Sequence, residues 1–369
     1  MSKTWVEIDT GILKKNILAA RKTLSVGTDL IFVVKSNAYG HGLLPVADTA
    51  WSCGVKFFAV ANVDEGRILR DALPKAMIMV VGFVDENEVR EAMRSNLIVM
   101  LVNEEHVLRL EKVARAIRSK LKCHIKIDTG MGRLGVPWWE VADLAKKIRK
   151  TKGIEICGIC SHFACSDSHQ KAFSELQVRR FQEAERGIEE NGIKILYKHI
   201  SNSGGVLQNK LWDMDGVRIG IMLYGYPSAD LSVREIRVRP FLQWKTRIVQ
   251  IKDVPTGFSV SYGRTFVTKR STRLATIDVG YADGYFRSLS NNGYVLIKGA
   301  KCPIRGRVTM NMIVVELNRK VGKISGDEEV VLIGRQGEEE IGADDLARWA
   351  KTIPYEILTS IRTGDRRII

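Results

Sequence analysis

Eight times between residues 30 and 219 a short apolar run rich in β-formers gives way to a stretch with helical spacing. The runs cover 30–35, 57–61, 77–82, 98–102, 123–128, 156–162, 197–201 and 216–219, and the helical stretches include 103–119, 138–150 and 170–190. Parallel strands cannot be joined by tight turns and need a crossover, which a helix supplies. Eight such β/α alternations predict an α/β fold built on a closed, TIM-like (β/α)8 barrel rather than an open sheet. An apolar content of 45% is enough to fill such a core.

After Pro227 the pattern changes. Helical spacing yields to short strands separated by turn residues, at 241–254, 259–266, 274–279, 294–297, 307–316 and 330–333, with one helix at 343–349. A chain of 369 residues has room for this second, mostly β domain. Residues 5–8 read as a strand ahead of the first helix and are expected to pair with it. The expected division is therefore a barrel over 10–235, with 1–9 and 236–369 forming the β-rich domain.

The net charge of +15 is scattered, without arginine-rich runs or aromatic interleaving. It reads as a solvated basic surface and not as a nucleic-acid site. No apolar run approaches the ~20 residues that span a bilayer, and residues 1–7 contain no apolar signal core. Six dispersed cysteines without a signal segment fit reduced thiols in the cytoplasm.

In a barrel of this kind function gathers at the C-terminal strand ends. The first strand delivers Lys35 there, followed by a turn of small residues and a helix. An ammonium beside an apolar strand loses hydration. It either snorkels to the surface or serves as an amine that forms a Schiff base with an aldehyde cofactor, which desolvation favours. The fifth strand runs into Asp128-Thr129-Gly130-Met131-Gly132-Arg133-Leu134-Gly135, the sixth ends at Ser161-His162-Phe163, the seventh at Ser201-Asn202-Ser203, and the eighth at Arg218-Ile219-Gly220-Ile221. Ser203 precedes two glycines that open a helix, a place suited to an anion. Gly220 lets backbone approach closely, so its N–H and that of Ile221 can point at one phosphate. Each could also be a plain turn, but the last two strand ends are the usual phosphate corner of such barrels.

Two other patterns lead elsewhere. Gly130-x-Gly132-x-x-Gly135 matches a dinucleotide fingerprint but follows the fifth strand, and no acidic residue closes a second strand about 20 residues on. Cys157-x-x-Cys160 with His162 and Cys165 has zinc-like spacing. Strand positions three apart face opposite sides, so no metal site is expected. His106, His124, His169 and His199 offer no role of their own.

These residues resemble the alanine racemase family over essentially the whole chain, through 33–42, 126–135, 158–163, 201–203, 218–225, 260–263, 280–285, 306–312 and 352–356. The resemblance implies pyridoxal 5'-phosphate held on Lys35, with Lys35 and Tyr262 as the two catalytic bases. It implies cofactor contacts from Tyr39, His162, Asn202, Ser203, Arg218, Gly220, Ile221 and Tyr355, and substrate contacts from Arg133, Met310 and Tyr281. Lys126 resembles the lysine often carbamylated in the family to orient Arg133. The family is a homodimer whose sites take Tyr262 and Met310 from the other subunit, and it supplies D-alanine for peptidoglycan.

The implied roles make chemical sense. A guanidinium only donates, so Arg218 facing the pyridine nitrogen would give it no proton, leaving a poorer electron sink and favouring racemisation over transamination. Inverting a stereocentre needs proton donors on two faces, and one lysine serves one. Alone, Tyr262 reads as a core tyrosine with a satisfied hydroxyl; a second base would need a cation network such as His162 and Arg218 to lower its pKa. The chain departs from the family at Asn311, where aspartate usually follows the methionine, at Ser36 in place of alanine, and in the tail 362–367, which is expected to be far from the chemistry. Alternatives are a serine or broad-specificity racemase, on which the bulk of Tyr355 bears, and a non-catalytic pyridoxal-phosphate carrier, which would keep the barrel but lack the β domain.

Overall fold

The eight runs form a single parallel sheet that nearly closes on itself: Asp29–Val33, Phe57–Val60, Met77–Val80, Ile98–Leu101, Leu121–Asp128, Ile154–Cys160, Lys198–His199 and Gly216–Ile219. This is a computed structural model, and it describes residues 4–168, 171–227 and 236–369. Each of the first six strands pairs with the next, and the eighth returns to the first with Gly216 opposite Asp29 and Ile219 opposite Phe32. The seventh and eighth strands are stitched by Arg218 N–H to the Ser201 carbonyl at 2.9 Å and Asp215 N–H to the Lys198 carbonyl at 3.1 Å. His169, Gln170 and the expected domain boundary at 235 and 236 fall wholly or partly outside the described residues; the helix expected over 170–190 is described as Lys171–Glu190.

Side chains alternate across a strand, and the registers show which ones share the interior. Ile31, Phe57, Ala59, Met79, Ile98, Met100, Val102 and Cys160 form one buried cluster. His124 stands opposite Met100, Lys126 and His199 opposite Cys160, and Arg218 opposite Ile31. One side of the interior is therefore aliphatic, while strands five, seven and eight point cations and imidazoles inward. That arrangement is costly unless every polar atom finds a partner.

The chain divides into two compact units. The barrel unit comprises Leu13–Ala38 and Leu43–Arg239, and the β unit comprises Met1–Ile12, Tyr39–Gly42 and Pro240–Ile369. In the β unit Trp5–Ile8 pairs antiparallel with Leu242–Val254 and parallel with Arg366–Ile368, as expected of a strand that precedes the barrel. The remaining strands include Thr272–Ile277, Tyr294–Ile297, Ala300–Pro303, Ile313–Glu316, Glu329–Gln336 and Glu339–Ile341.

Three expectations need correction here. The run 259–266 is not one strand: Ser259–Val260 and Phe266–Val267 pair as a hairpin around a tight turn at Tyr262–Arg264. Ser261, Gly263 and Arg264 are left-handed there, with φ of 62°, 71° and 48°, which no strand tolerates. The run 307–316 is strand only over Ile313–Glu316, because residues 309–312 fold into a turn in which Thr309 N–H donates to the Met312 carbonyl at 3.0 Å. The tail is not remote. Arg366 donates to the carbonyl of Gly40 at 3.1 Å, directly after Tyr39. Ala300–Pro303, too short to read from the sequence, is made by a two-residue turn at Lys298-Gly299, both with positive φ, the conformation that matches strand twist.

Among the described residues no helix is long and apolar enough to cross a membrane. No group of His, Cys, Asp and Glu among them is placed to hold a metal, and all six cysteines are free.

Candidate active site

The barrel rim is built from strand ends. After Asp29–Val33 the chain reaches Lys35 and enters a left-handed turn, with φ of 55°, 54°, 52° and 51° at Ser36, Asn37, Ala38 and Tyr39 and 80° at Gly40. Each non-glycine residue in that conformation costs roughly 1–2 kcal/mol. Strain of this kind concentrates at functional sites, where surrounding structure must hold it. The expected turn is present, and the helix after it, Leu43–Ser52, starts once the left-handed stretch ends. Burial, then the Arg133 cation, lowers the pKa of the Lys35 amine, and Glu65 opposes them.

Arg218 is buried in the interior and donates through both terminal nitrogens. Its guanidinium donates to the carbonyls of Ser161 at 2.6 Å, Ile200 at 2.8 Å and His199 at 3.2 Å, to His162 Nδ1 at 3.2 Å, and to His199 Nδ1. Burial, then Arg218 itself, pushes both imidazoles well below their usual range, so they are neutral acceptors. A neutral imidazole that accepts at one nitrogen must carry its proton on the other. His199 Nε2–H therefore donates to His124 Nδ1, 2.9 Å away, and His124 is held at about 3 by burial, then Arg218. His124 and His199, which the sequence leaves without a role, complete the support of Arg218. The overlooked signal was period two: Lys122, His124, Lys126 and Asp128 alternate with Cys123, Ile125 and Ile127, so the polar set shares one face.

The loop after strand five folds on its own carboxylate. Asp128 Oδ1 accepts from Gly130 N–H at 2.9 Å and Gly132 N–H at 3.1 Å. Gly135, at φ 132°, lies so close to the Lys126 carbonyl that a Cβ would stand 2.9 Å from it. The glycine spacing thus serves this loop, which carries Arg133. Partly buried Lys126 has its amine pushed down to about 8, chiefly by burial, with Arg218 and Arg133 adding to the effect. Gln177, buried on the helix Lys171–Glu190, ties the neighbouring strand ends by donating to Thr129 Oγ1 and the His162 carbonyl.

Ser203 and Gly220 meet, but the Gly220 N–H expected to point at a phosphate donates to Ser203 Oγ at 3.1 Å instead. Asn202 caps the short helix Ser203–Gln208 by accepting from Gly205 N–H at 3.0 Å. The N–H groups of buried Ser203 and Ile221 have no hydrogen-bond partner among the described residues. Buried donors without partners are rare, and these two stand at the ends of the last two strands. A Cβ on Gly205 would meet Phe163 at 2.9 Å, and one on Gly204 would meet Ser166 Oγ at 2.8 Å. The residues fit a bound phosphate group, and an amine and a fixed guanidinium on the same rim fit the rest of an aldehyde cofactor.

The β unit holds the other expected residues in two places. Buried Tyr39 packs on half-exposed Tyr355 with ring centroids 5.9 Å apart. Burial, then Tyr355, raises the Tyr39 hydroxyl, which stays a donor at neutral pH. Gly40 follows at φ 80°, where a Cβ would lie 2.2 Å from the Leu358 carbonyl. Tyr262 is no core tyrosine: it is 73% exposed, and Met310, Met312 and Tyr281 are exposed as well. They share a patch, because Ser261 Oγ donates to the Arg307 carbonyl at 2.7 Å while Tyr281 N–H donates to the Thr309 carbonyl at 3.0 Å. Exposed Asn311 lies between the two methionines.

A family model described as alanine racemase, N-terminal domain, matches residues 8–228, and one described as alanine racemase, C-terminal domain, matches 241–369. The chain belongs to the alanine racemase family. That family is pyridoxal-phosphate-dependent, and its reaction is the interconversion of L- and D-alanine. The alanine racemase of Halothermothrix orenii is 42% identical over 359 residues, covering 97% of this chain and 94% of the relative. That of Syntrophobacter fumaroxidans is 40% identical over 98% of this chain and 96% of its own length. Among solved structures, the Bacillus anthracis alanine racemase with bound L-Ala-P is 33% identical with a TM-score of 0.93, covering 100% and 95% of the two chains. The Bartonella henselae alanine racemase with covalently bound pyridoxal phosphate is 28% identical with a TM-score of 0.89, covering 100% of both.

Proposed function

We propose that this chain racemises alanine with two bases: Lys35 of the barrel, and Tyr262 from the β unit of a second copy in a cytoplasmic homodimer. The observation that carries the reading is the convergence at one rim of an amine of lowered pKa, a buried arginine that only donates, and two unpartnered N–H groups. Bound there, pyridoxal phosphate supplies an aldehyde for the amino group and a ring that withdraws electrons from Cα. Lys35 Nζ would hold the cofactor and exchange the Cα proton on its face. Its lowered pKa favours the neutral amine that such work requires. Ser203, Gly220 and Ile221 would hold the phosphate, with Asn202 fixing the helix end, and Tyr39 and Tyr355 donating hydroxyls. Arg218, oriented by His162, would face the ring nitrogen and donate without releasing a proton.

Arg133, Met310 and Tyr281 would position the substrate carboxylate. The Lys126 amine at about 8 holds a neutral share at neutral pH, the form that adds carbon dioxide to give a carbamate able to orient Arg133. The exposed patch of Tyr262, Tyr281, Met310 and Met312 supports assembly, because apolar side chains gathered on one surface gain by docking on another chain. D-alanine made in this way would serve peptidoglycan. Borohydride reduction of the holoenzyme followed by peptide mapping tests the core of the reading. The adduct is expected on Lys35, and an adduct on any other lysine would overturn the assignment.

A further inference from the structure

Glu65 lies outside the set of residues just assigned, yet it holds the most strained backbone of the rim. It sits in the first turn of the helix Val63–Ala72, and its own N–H donates to the capping Asn62 Oδ1 at 2.9 Å. Its carboxylate then bridges two loops. Oε1 accepts from Asn37 N–H at 2.8 Å, and Oε2 accepts from Ala61 N–H at 2.9 Å. Asn37 is the second residue after Lys35 and lies in the left-handed turn. The turn is further closed by Ala38 N–H on the Val34 carbonyl at 2.8 Å and by Asn37 Oδ1 accepting from Leu43 N–H at 2.8 Å. The Glu65 contact ties it to the loop that follows the second strand. A charged acceptor binds an N–H about twice as strongly as a neutral one, which suits a conformation that L-residues resist.

We propose that Glu65 is a positioning residue for Lys35: its carboxylate locks the left-handed turn that aims the amine and places an opposite charge beside it. The proposal rests on Lys35 being the cofactor lysine. Among the described residues, the charged and titratable groups that act electrostatically with the amine are Arg133, Glu65 and His162. His162 is neutral and Arg133 is a cation, so Glu65 is the anion that offsets both the cation and the burial.

Glu65→Gln keeps the side chain's length, but its amide has one acceptor oxygen in place of two and no charge. In the full-length chain freed of cofactor, lysines are labelled with acetic anhydride across a pH series and mapped by mass. The Lys35 labelling midpoint is expected to move to lower pH in Glu65→Gln, while that of Lys126 stays in place. The holoenzyme should lose about tenfold in kcat, as a misplaced reacting group does, with its thermal midpoint nearly kept. Glu65→Asp keeps the charge but falls short of the two N–H groups. It should keep the Lys35 midpoint and still lose kcat. An unchanged Lys35 midpoint in Glu65→Gln, or wild-type kcat in Glu65→Asp, would overturn the proposal. Borohydride mapping of the wild-type holoenzyme separates the two failures, since an adduct away from Lys35 sinks the cofactor assignment instead.

Discussion

Burial, and after it one arginine, keeps three histidines neutral. Because Arg218 can only donate, His162 and His199 must accept from it, and His199 passes its remaining proton toward His124. All three have folded pKa values pushed below the ordinary value. The unfolded chain therefore binds more protons than the folded one below about pH 6.5, and stability must fall as pH drops through that range toward about 3 for His124. Urea midpoints measured from pH 7 to pH 4.5 should decline, and the decline should be shallower in His124→Asn. At the same scale, Tyr262→Phe should lower racemisation in both directions by about 10² and leave cofactor absorbance intact, because the proposed role of the exposed hydroxyl is confined to the proton. Full activity in that variant would remove the two-base reading. The strand-end places of Lys35 and Arg218 were legible in the sequence from residue type and position, whereas Tyr262 read as a core residue and its proposed role came from the family resemblance. The partnership of Glu65 with Asn37 was not, since 28 residues separate them and only the barrel brings the two loops together.

Elements supply the precision that residues need. The helix Ser203–Gln208 is too short to stand on propensity and is held by its Asn202 cap and by close packing of its glycines. A methyl group on Gly205 would press on Phe163, which itself packs on Trp212 with centroids 4.8 Å apart. Gly205→Ala should cost roughly 1–3 kcal/mol from overpacking, read as a lower urea midpoint, and should speed the loss of cofactor on dialysis. A variant that matches wild type in both would show that the helix end has room to move. The β hairpin that carries Tyr262 makes the same point in reverse. Its residues alternate like a strand, yet left-handed φ at Ser261 and Arg264 breaks the strand into a turn and projects the tyrosine outward.

At the scale of the whole molecule, the barrel unit carries one proposed base and the β unit the other. If each site draws Lys35 from one chain and Tyr262 from its partner, the dimer must have isologous symmetry. Lys35→Ala and Tyr262→Phe chains, each inactive alone, are then unfolded and refolded together. About half the dimers are mixed, and in each of these one site carries both mutations and the other carries none. Activity should recover to about a quarter of wild type. Mixed dimers shown to be present but inactive would mean that both bases come from one chain.

Period and punctuation in the sequence determined the barrel, the β unit and the strand ends where chemistry collects, because alternation and turn residues are local properties. The serine and glycines that open the helix Ser203–Gln208 were legible for the same reason, since they say what the backbone can offer. Which polar residues share the barrel interior was decided by strand register, which places His199 beside Cys160 and Arg218 beside Ile31. The exposure of Tyr262 and the bond from Arg366 to Gly40 were likewise tertiary outcomes. Each depends on hydrogen bonds between segments far apart in the chain, and those form only once the strands have closed into sheets.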